Sequence, residues 1–329
     1  MRTFAIWMVM LLTLMTACSP HIHLDLLGRR QDLAEVAMDR TKEQDKILLV
    51  NLSGPIQTER DPSILASAEG SVAGIFSRLE RAAADPGIRG IILKIDTPGG
   101  EGTASDIIYH EIMRYRERTG RPIVALMMGL ATSGGYYVAA ACDYIIAHPT
   151  TLTGSIGVIG ILPNIKGILQ RVGIKINVFK SGKMKDAGSP YRDMTDEEKQ
   201  SFQRQIDAFH EKFVQVVYGN RKQHLTLDEV KKLADGRVYN ATEALGLKLI
   251  DEIGYYEAAL KKVLALAKIS KARVVSYTRH SGAQKNIYSV RDGSDPMLAF
   301  NIDLLGRLFP RFQAGIYYLW LPDSLGSDR

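Results

Sequence analysis

The feature that most constrains the fold is an alternation of apolar runs with strand and helix periodicities. Residues 88–95 are a nearly unbroken β-branched run, which is typical of a strand buried on both faces of a sheet. Apolar residues with helical spacing precede this run at 71–83, and a second helix is expected at 105–118, before a strand at 122–127. Alternating strands and helices of this length predict an α/β fold in which helices pack on a parallel sheet.

Further elements are predicted along the rest of the body. The predicted strands are 47–52, 144–147 and 175–179, and the predicted helices are 195–218, 227–234, 241–245 and 256–267. The first of these helices begins with Thr-Asp-Glu-Glu, which is the signature of a capping box at Thr195. Residues 181–192 have no periodicity and are predicted to form a loop.

The N-terminus has the features of an export signal. Arg2 precedes an uncharged run at 4–17, which is too short to span a bilayer comfortably, because about 20 residues are needed. The following step from Ala17 to Cys18 resembles a bacterial lipoprotein signal, in which Cys18 would be lipidated. A short uncleaved anchor and cleavage elsewhere near Ala17 are the alternatives. Each reading puts the body of the protein outside the cytoplasm.

Two segments of the chain are predicted to be linkers. Residues 18–45 are polar and expected to be partly helical over 31–41, and residues 269–295 are expected to be a flexible link between the folded body and the tail. The tail, 296–329, is apolar and aromatic in its first part. It is expected to pack on its own or a neighbouring subunit, with contact to a membrane surface as the alternative.

Composition excludes some classes of function. The formal net charge is +6, but Lys and Arg are scattered and no basic run suits nucleic acid, so no nucleic-acid partner is expected. The two cysteines, Cys18 and Cys142, are better explained separately than as a disulfide, with Cys142 as a small buried residue.

The strongest candidate for chemistry is Ser133, which lies with Ala131, Gly134 and Gly135 between two apolar runs. This pattern predicts a strand that turns sharply into a helix. At such a turn, backbone N–H groups and the positive end of the helix dipole surround the hydroxyl, which suits a nucleophile whose product carries an oxyanion. Ser-Gly-Gly is also ordinary turn chemistry, so a purely structural role remains open.

A nucleophilic serine needs a base, and histidine is the usual choice. None of the seven histidines lies in a motif, and His148, which precedes Pro149, is typical of a turn residue. A lysine can replace histidine if desolvation lowers its pKa from about 10.4 toward neutrality. The loop that holds Lys183 and Lys185 is therefore the second candidate region, and a solvated basic loop is its alternative.

Four glycine-containing motifs follow one another along the body of the chain. They are Asp-Thr-Pro-Gly-Gly from Asp96, Ala-Thr-Ser-Gly-Gly-Tyr-Tyr from Ala131, Thr-Gly-Ser-Ile-Gly-Val from Thr153 and Ser-Gly-Lys-Met-Lys-Asp-Ala-Gly-Ser-Pro from Ser181. Their order and spacing resemble those of the bacterial signal peptide peptidase A family, as does a later run at 236–251. The similarity covers residues 46–268. It implies a Clp protease/crotonase-like fold, a parallel-sheet spiral with flanking helices.

The resemblance implies roles for individual residues in a Ser/Lys dyad, whose chemistry is expected to need no metal ion or cofactor. Ser133 would be the nucleophile, Lys185 the general base, and Ser155 the hydrogen-bond partner that orients the lysine amine. The backbone N–H groups of Gly100 and Gly134 would form the oxyanion hole. On sequence chemistry alone, Lys183 competes with Lys185 for the role of the base.

The same resemblance implies a serine endopeptidase that degrades cleaved signal peptides and other unstructured apolar peptides. The chain looks like the short, single-repeat form, which forms homo-oligomeric rings, and in this family the dyad can assemble across a subunit boundary. The expected location is the bacterial cell envelope, anchored to a membrane through the N-terminus. The alternatives are a related protease with protein substrates, a catalytically silent lipoprotein scaffold, and an acyl-CoA enzyme, against which the export signal argues.

Overall fold

A computed structural model describes residues 33–58, 71–278 and 315–320. Within these ranges the strands are β1 (Ala34–Ala37), β2 (Lys46–Ser53), β3 (Ile88–Thr97), β4 (Gly99–Glu101), β5 (Ile123–Thr132), β6 (Tyr144–Ala147), β7 (Leu152–Gly154), β8 (Ile159–Ile161), β9 (Val238–Asn240), β10 (Glu252–Ile253), β11 (Arg273–Thr278) and β12 (Gly315–Leu319). The helices are α1 (Ser71–Ala84), α2 (Gly102–Thr119), α3 (Gly134–Ala139), α4 (Lys166–Arg171), α5 (Asp196–Arg221), α6 (Leu227–Leu233), α7 (Ala241–Gly246) and α8 (Tyr256–Leu266).

A mostly parallel sheet forms the centre of the fold. Its order is β1-β11-β2-β3-β5-β6-β10, and β2, β3, β5 and β6 pair in parallel. The strand β3 is buried along most of its length, as its β-branched run predicts. The predicted α/β class with a parallel-rich sheet is confirmed.

Apolar side chains cover both faces of this sheet. On one face, Leu93 belongs to a cluster that also contains Ile108 of α2 and Phe213 of α5. On the other face, Ile92 packs in a second cluster with Val263 of α8. Because neighbouring side chains of a strand point to opposite faces, β3 contributes to both clusters. Helices on both sides therefore fix the ends of β3 and β5, where the candidate site lies.

Two segments that were expected to be linkers contribute strands to the sheet. The strand β11 pairs in parallel with β2, and β1 pairs antiparallel with β11 at the edge. Val274, Val275 and Tyr277 are buried there, and burying each such side chain contributes about 1.5–3 kcal/mol. The prediction of a partly helical linker at 31–41 is wrong for the described residues, because β11 offers a free edge that Ala34–Ala37 pairs with.

The strand predicted at 175–179 is also wrong. This stretch forms no regular element, and Ile176, Val178 and Phe179 are exposed. Alternation of apolar residues favours a strand only where a neighbouring strand supplies hydrogen bonds, and no described strand lies beside this segment. Its apolar side chains are left without cover in the single chain.

The long helix α5 starts and ends at polar anchors. At its start, the Thr195 side chain accepts a hydrogen bond from the Glu198 N–H and the Glu198 carboxylate accepts one from the Thr195 N–H, which confirms the capping box. At its end, the buried Arg221 donates to Asp251 at 2.8 Å and to the carbonyl of Lys248. These contacts fix α5 against the edge of the sheet formed by β6 and β10.

Several predicted segments lie outside the described residues. They are the export signal at 1–17, the lipidation candidate Cys18, the first part of the linker at 18–45, residues 279–295 of the predicted flexible link and all of the tail except 315–320. Among the helices that the structure describes, none is both long enough and apolar enough to cross a membrane.

Candidate active site

Ser133 lies between the last residue of β5 and the first residue of α3, so the predicted strand–turn–helix is confirmed. Its backbone has φ 53° and ψ −114°, a region that residues other than glycine seldom adopt. The Ser133 N–H donates to the carbonyl of Gly154 at 2.8 Å, and the Ser133 carbonyl accepts from the N–H of Tyr137 at 2.9 Å. These two bonds hold the strained residue from both sides.

The hydroxyl of Ser133 is buried and unpaired. The residue is 1% exposed, and its Oγ has no hydrogen-bond partner in the part of the chain that the structure describes. A buried polar group without a partner costs about 1–3 kcal/mol, so such groups call for an explanation. A nucleophile whose base and substrate come from elsewhere provides one.

The glycines around Ser133 allow backbones to approach closely. A Cβ on Gly134 would stand 2.4 Å from Ser105 Oγ and 3.3 Å from the Gly100 nitrogen. A Cβ on Gly100 would stand 2.0 Å from the carbonyl oxygen of Ile56. No side chain fits at either position. The structure thus brings the two predicted oxyanion-hole residues, Gly100 and Gly134, together beside Ser133.

The C-terminal strand β12 adds to this site, which the sequence did not predict. It pairs antiparallel with β4 and with β8, and Tyr318 lies opposite Gly100. The Tyr318 carbonyl oxygen is 2.1 Å from the point where a Cβ on Gly99 would stand and 3.2 Å from the same point on Gly134. For these residues the tail packs on its own chain, the first of its two expected roles. The only feature of the sequence that indicated packing of this segment was the run of aromatic residues around Tyr318.

Ser155 lies next to Ser133 in the fold. The strand β7 pairs with the end of β5, with Gly154 opposite Thr132, and Ser155 follows directly. Ser155 is 6% exposed, has φ 49° and donates its N–H to the carbonyl of Arg237 at 2.8 Å. Of the predicted site residues, the structure therefore brings together Ser133, Ser155, Gly100 and Gly134.

Lys185 is not joined to Ser133 in the single chain. Its side chain is exposed, and the Ser133 Oγ has no partner among the described residues, Lys185 included. The competing Lys183 forms an ion pair with Glu197. The hydrogen bond to this carboxylate raises the pKa of Lys183, which is the opposite of what a general base requires.

A network around Arg192 holds the loop that carries Lys185. The Arg192 guanidinium donates to Asp186 at 2.8 Å and to Glu198 at 2.5 Å, which ties the loop to the start of α5. Hydrogen bonding to Arg192 keeps the pKa of Asp186 well below its usual range and lowers that of Glu198 to about 2. The loop is therefore anchored to the start of α5, although the side chain of Lys185 itself is exposed.

Other polar candidates do not join the site. Cys142 is a free, buried thiol whose pKa is raised by burial, in agreement with the small buried residue that was expected. His148 lies in a turn, where its ring contacts the hydroxyl of Thr150 and the ring of Tyr255. Within the described ranges, no group of His, Cys, Asp and Glu side chains could hold a metal ion.

Comparison with known proteins gives consistent matches. The protein-family model for peptidase family S49 matches residues 115–270 of this chain. The chain is 30% identical over 246 residues to an Enterococcus faecium protein provisionally named signal peptide peptidase SppA, covering 75% of this chain and 71% of the relative. It is 38% identical over 193 residues to a provisionally named protease of Methanocaldococcus jannaschii, covering 59% and 61%.

A third relative is much longer than the matched region. The chain is 32% identical over 204 residues to Protease 4 of Salmonella typhi, covering 61% of this chain and 32% of the relative. The matches thus span between a third and seven tenths of the length of these three proteins.

Proposed function

Because this chain belongs to the signal peptide peptidase A family of serine peptidases, peptidase family S49, we propose that it is a serine endopeptidase with Ser133 as its nucleophile. The observation that carries the proposal is the buried, unpaired hydroxyl of Ser133 on a strained turn. The backbones of Gly100 and Gly134 stand beside it, where a substrate carbonyl would be polarised.

In the proposed reaction, neutral Lys185 takes the proton of Ser133 while the hydroxyl attacks a peptide carbonyl. The N–H groups of Gly100 and Gly134 stabilise the resulting oxyanion, and one such donor contributes about 2.7–4 kcal/mol. Lys185 then protonates the leaving amine, and water hydrolyses the acyl-enzyme. Ser155 orients the lysine amine.

The exposure of Lys185 supports a dyad that is completed by assembly. A lysine becomes a base near neutral pH only where burial disfavours its charged form. The segment before Lys185 carries a group of exposed apolar side chains, namely Ile159, Ile168, Val172, Ile174, Ile176, Val178 and Phe179. Contiguous exposed apolar side chains mark interaction sites. We therefore include a homo-oligomeric ring in the proposal, with this surface, the 159–179 surface, as a subunit contact.

The proposed substrates are cleaved signal peptides and other unstructured apolar peptides. One relative carries signal peptide peptidase in its name. In this chain, β4 and β8 lie on either side of one extended segment, with room for a single strand between them. Such an arrangement accepts a chain that can become a strand, which a folded domain cannot do. The proposed location is the bacterial cell envelope with a lipid anchor, on the basis of the predicted export signal at 1–17 and the predicted lipidation site Cys18.

The test is labelling of the mature protein by a fluorophosphonate probe, scanned over pH, beside a Ser133→Ala variant. We expect labelling that rises with pH as the base loses its proton and that is absent in the variant. Ser77→Ala on α1 is the matched control and should label like the parent protein. An assembled protein that does not label at any pH would contradict the proposal and favour a silent scaffold.

A further inference from the structure

Thr97 is the last residue of β3 and lies where the ends of three parallel strands meet. It pairs with Ala131 of β5, two residues before Ser133. Its hydroxyl donates at 2.6 Å to the carbonyl of Gly54, the residue directly after β2. Thr97 is 0% exposed, and a buried hydroxyl has to find its hydrogen-bond partners within the protein. The backbones that it bonds are therefore held in place.

The hydroxyl of Thr97 closes the turn that leads to Gly100. Its oxygen accepts from the N–H of Gly99 at 3.1 Å, and a threonine oxygen bonded to the N–H two residues later is a local turn motif. Gly99 has φ 96°, which glycine adopts without steric cost. The bonds from Gly99 to Thr97 and from Thr97 to the Gly54 carbonyl form a chain in which each bond strengthens the other. This chain fixes the direction of the backbone just before Gly100.

The peptide unit that joins Gly99 to Gly100 is held at its carbonyl end. The Gly99 carbonyl accepts from the N–H of Ile56 at 2.9 Å, and the Thr97 hydroxyl is 3.3 Å from the same oxygen. The Gly100 N–H belongs to this peptide unit, so hydrogen bonds to the carbonyl polarise it and make it a stronger donor. Its nitrogen is 3.3 Å from the point where a Cβ on Gly134 would stand. The network therefore ends at a proposed oxyanion-hole donor.

The methyl group of Thr97 contacts the turn that carries Ser133. A Cβ on Gly135 would stand 2.7 Å from Thr97 Cγ2, so the methyl group occupies the space that a side chain at this position would need. Gly99 approaches the same turn, because a Cβ there would stand 2.8 Å from the nitrogen of Gly134. One side chain thus contacts both glycine turns, the first through its hydroxyl and the second through its methyl group.

Resting on the proposed function, we propose that Thr97 is a positioning residue of the oxyanion hole. Its hydroxyl orients the Gly100 N–H, and its methyl group sets the spacing between that N–H and Ser133. Because Thr97 is fully buried, it acts through Gly100 and not by contact with substrate. Its loss weakens the binding of the tetrahedral intermediate and leaves the binding of the planar peptide almost unchanged.

Two substitutions separate the hydroxyl from the methyl group. Thr97→Val keeps the branched shape and replaces the hydroxyl with a methyl group, whereas Thr97→Ser keeps the hydroxyl. Thr97→Val should lower kcat about 10- to 100-fold and change KM less than about threefold, because a displaced oxyanion donor affects the transition state. Thr97→Ser should keep kcat within about fivefold of the parent protein, since the hydrogen bonds to the turn remain.

Thr119→Val is the matched control, because Thr119 makes the same pattern of hydrogen bonds at the other end of β5. Its hydroxyl donates to the carbonyl of Tyr115 at 2.8 Å and accepts from the N–H of Arg121, two residues later, at 3.2 Å. Arg121 lies just before β5, whereas Ser133 follows it. The control should lose stability in urea but keep the kcat of the parent protein. Equal losses of kcat in the two valine variants would overturn the positioning role.

A pair of inhibitors reports on the oxyanion hole without requiring turnover. A peptide aldehyde adds the Ser133 Oγ to its carbonyl carbon, which places the former carbonyl oxygen in the hole, and the corresponding peptide alcohol binds without this adduct. Thr97→Val should raise the Ki of the aldehyde at least about tenfold and that of the alcohol less than about threefold. Thr97→Ala, which removes both groups and adds no methyl group beside Gly99, should show the same split and serves where Thr97→Val does not fold.

The outcomes distinguish this proposal from the proposed peptidase. A parent protein that cleaves peptides, with both inhibitors affected equally by the substitutions at Thr97, would overturn the role of Thr97 and leave the peptidase standing. A parent protein that neither cleaves peptides nor binds the aldehyde more tightly than the alcohol would overturn the peptidase and, with it, the positioning role.

Discussion

The backbone N–H of Ser133 donates a hydrogen bond of 2.8 Å to the carbonyl of Gly154, which links the turn of the proposed nucleophile to that of Ser155. Ser133 and Ser155 both have positive φ, at 53° and 49°. A residue in such a conformation costs about 1–3 kcal/mol and persists only where its surroundings fix it. The Gly154 carbonyl directly precedes Ser155, so this bond ties the two strained turns together through the backbone.

Removing the hydroxyl of Ser155 should slow the reaction through the lysine. Because Ser155 is proposed to orient the base, Ser155→Ala should lower kcat about 10- to 100-fold and shift the pH profile of kcat/KM. Ser155→Gly should have the same kinetic effect but unfold at a higher denaturant concentration than Ser155→Ala, since glycine tolerates φ 49°. A Ser155→Ala variant with an unchanged pH profile would contradict the positioning role.

Substitution of the two loop lysines should separate their roles. Lys185→Ala should abolish turnover and fluorophosphonate labelling, with a loss of at least about 10³-fold, because the nucleophile then lacks its base. Lys183→Ala should keep both, since Lys183 is paired with Glu197 and that contact raises its pKa. The reverse pattern would assign the base to Lys183. Circular dichroism of both variants provides the check on folding.

A methyl group at Gly134 should damage both stability and activity. The added Cβ would stand 2.4 Å from Ser105 Oγ, and overpacking of this kind costs about 1–3 kcal/mol. Moving the backbone to relieve this contact would also displace the Gly134 N–H beside Ser133, so labelling by the probe should be lost. Gly167→Ala on α4 is the control, because nothing lies within 4 Å of its added Cβ. Urea unfolding and labelling measure the two effects.

The Arg192 network should stabilise the loop that carries Lys185 only above acidic pH. Hydrogen bonding to Arg192 lowers the folded-state pKa of Glu198 to about 2 from its ordinary value of 4.5, and it lowers the pKa of Asp186 as well. A carboxyl whose pKa is lowered on folding contributes stability above its unfolded pKa and loses it as pH falls through the folded value.

The corresponding experiment compares the parent protein with Arg192→Met by urea unfolding at several pH values. The parent should be more stable above about pH 4.5, and the difference should shrink as pH falls toward about 2. A difference that does not depend on pH would show that Arg192 acts through packing rather than through its carboxylate partners. Lys199→Met is a control, because its ion pair with Asp196 is exposed.

A charge on the 159–179 surface should prevent assembly. Phe179 is 97% exposed in the single chain, and Phe179→Asp should reduce the molecular mass in sedimentation to that of a monomer. If the dyad is completed by a neighbouring subunit, this variant should also lose probe labelling. Phe76→Asp, at another exposed phenylalanine on α1, should leave the mass unchanged. An unchanged mass for both variants would contradict the proposed contact surface.

The sequence by itself determined what depends on neighbouring residues along the chain. The β-branched run of β3, the helical spacing of α1 and the capping box at Thr195 specify elements through local periodicity and local hydrogen bonds. The Ser-Gly-Gly turn likewise predicted the position of Ser133 between a strand and a helix. Most of the α/β fold and the candidate nucleophile could therefore be predicted from these local patterns in the sequence.

Only the tertiary structure decided what depends on which strands become neighbours. Pairing of β1 with β11, and of β12 with β4, joins residues far apart in the sequence, and no local pattern specifies such partners. The same holds for Gly100 and Gly134, whose lack of a side chain matters because two distant backbones meet there. Lys185 is exposed in the single chain, and no local sequence pattern specifies whether a lysine in such a loop is buried or exposed.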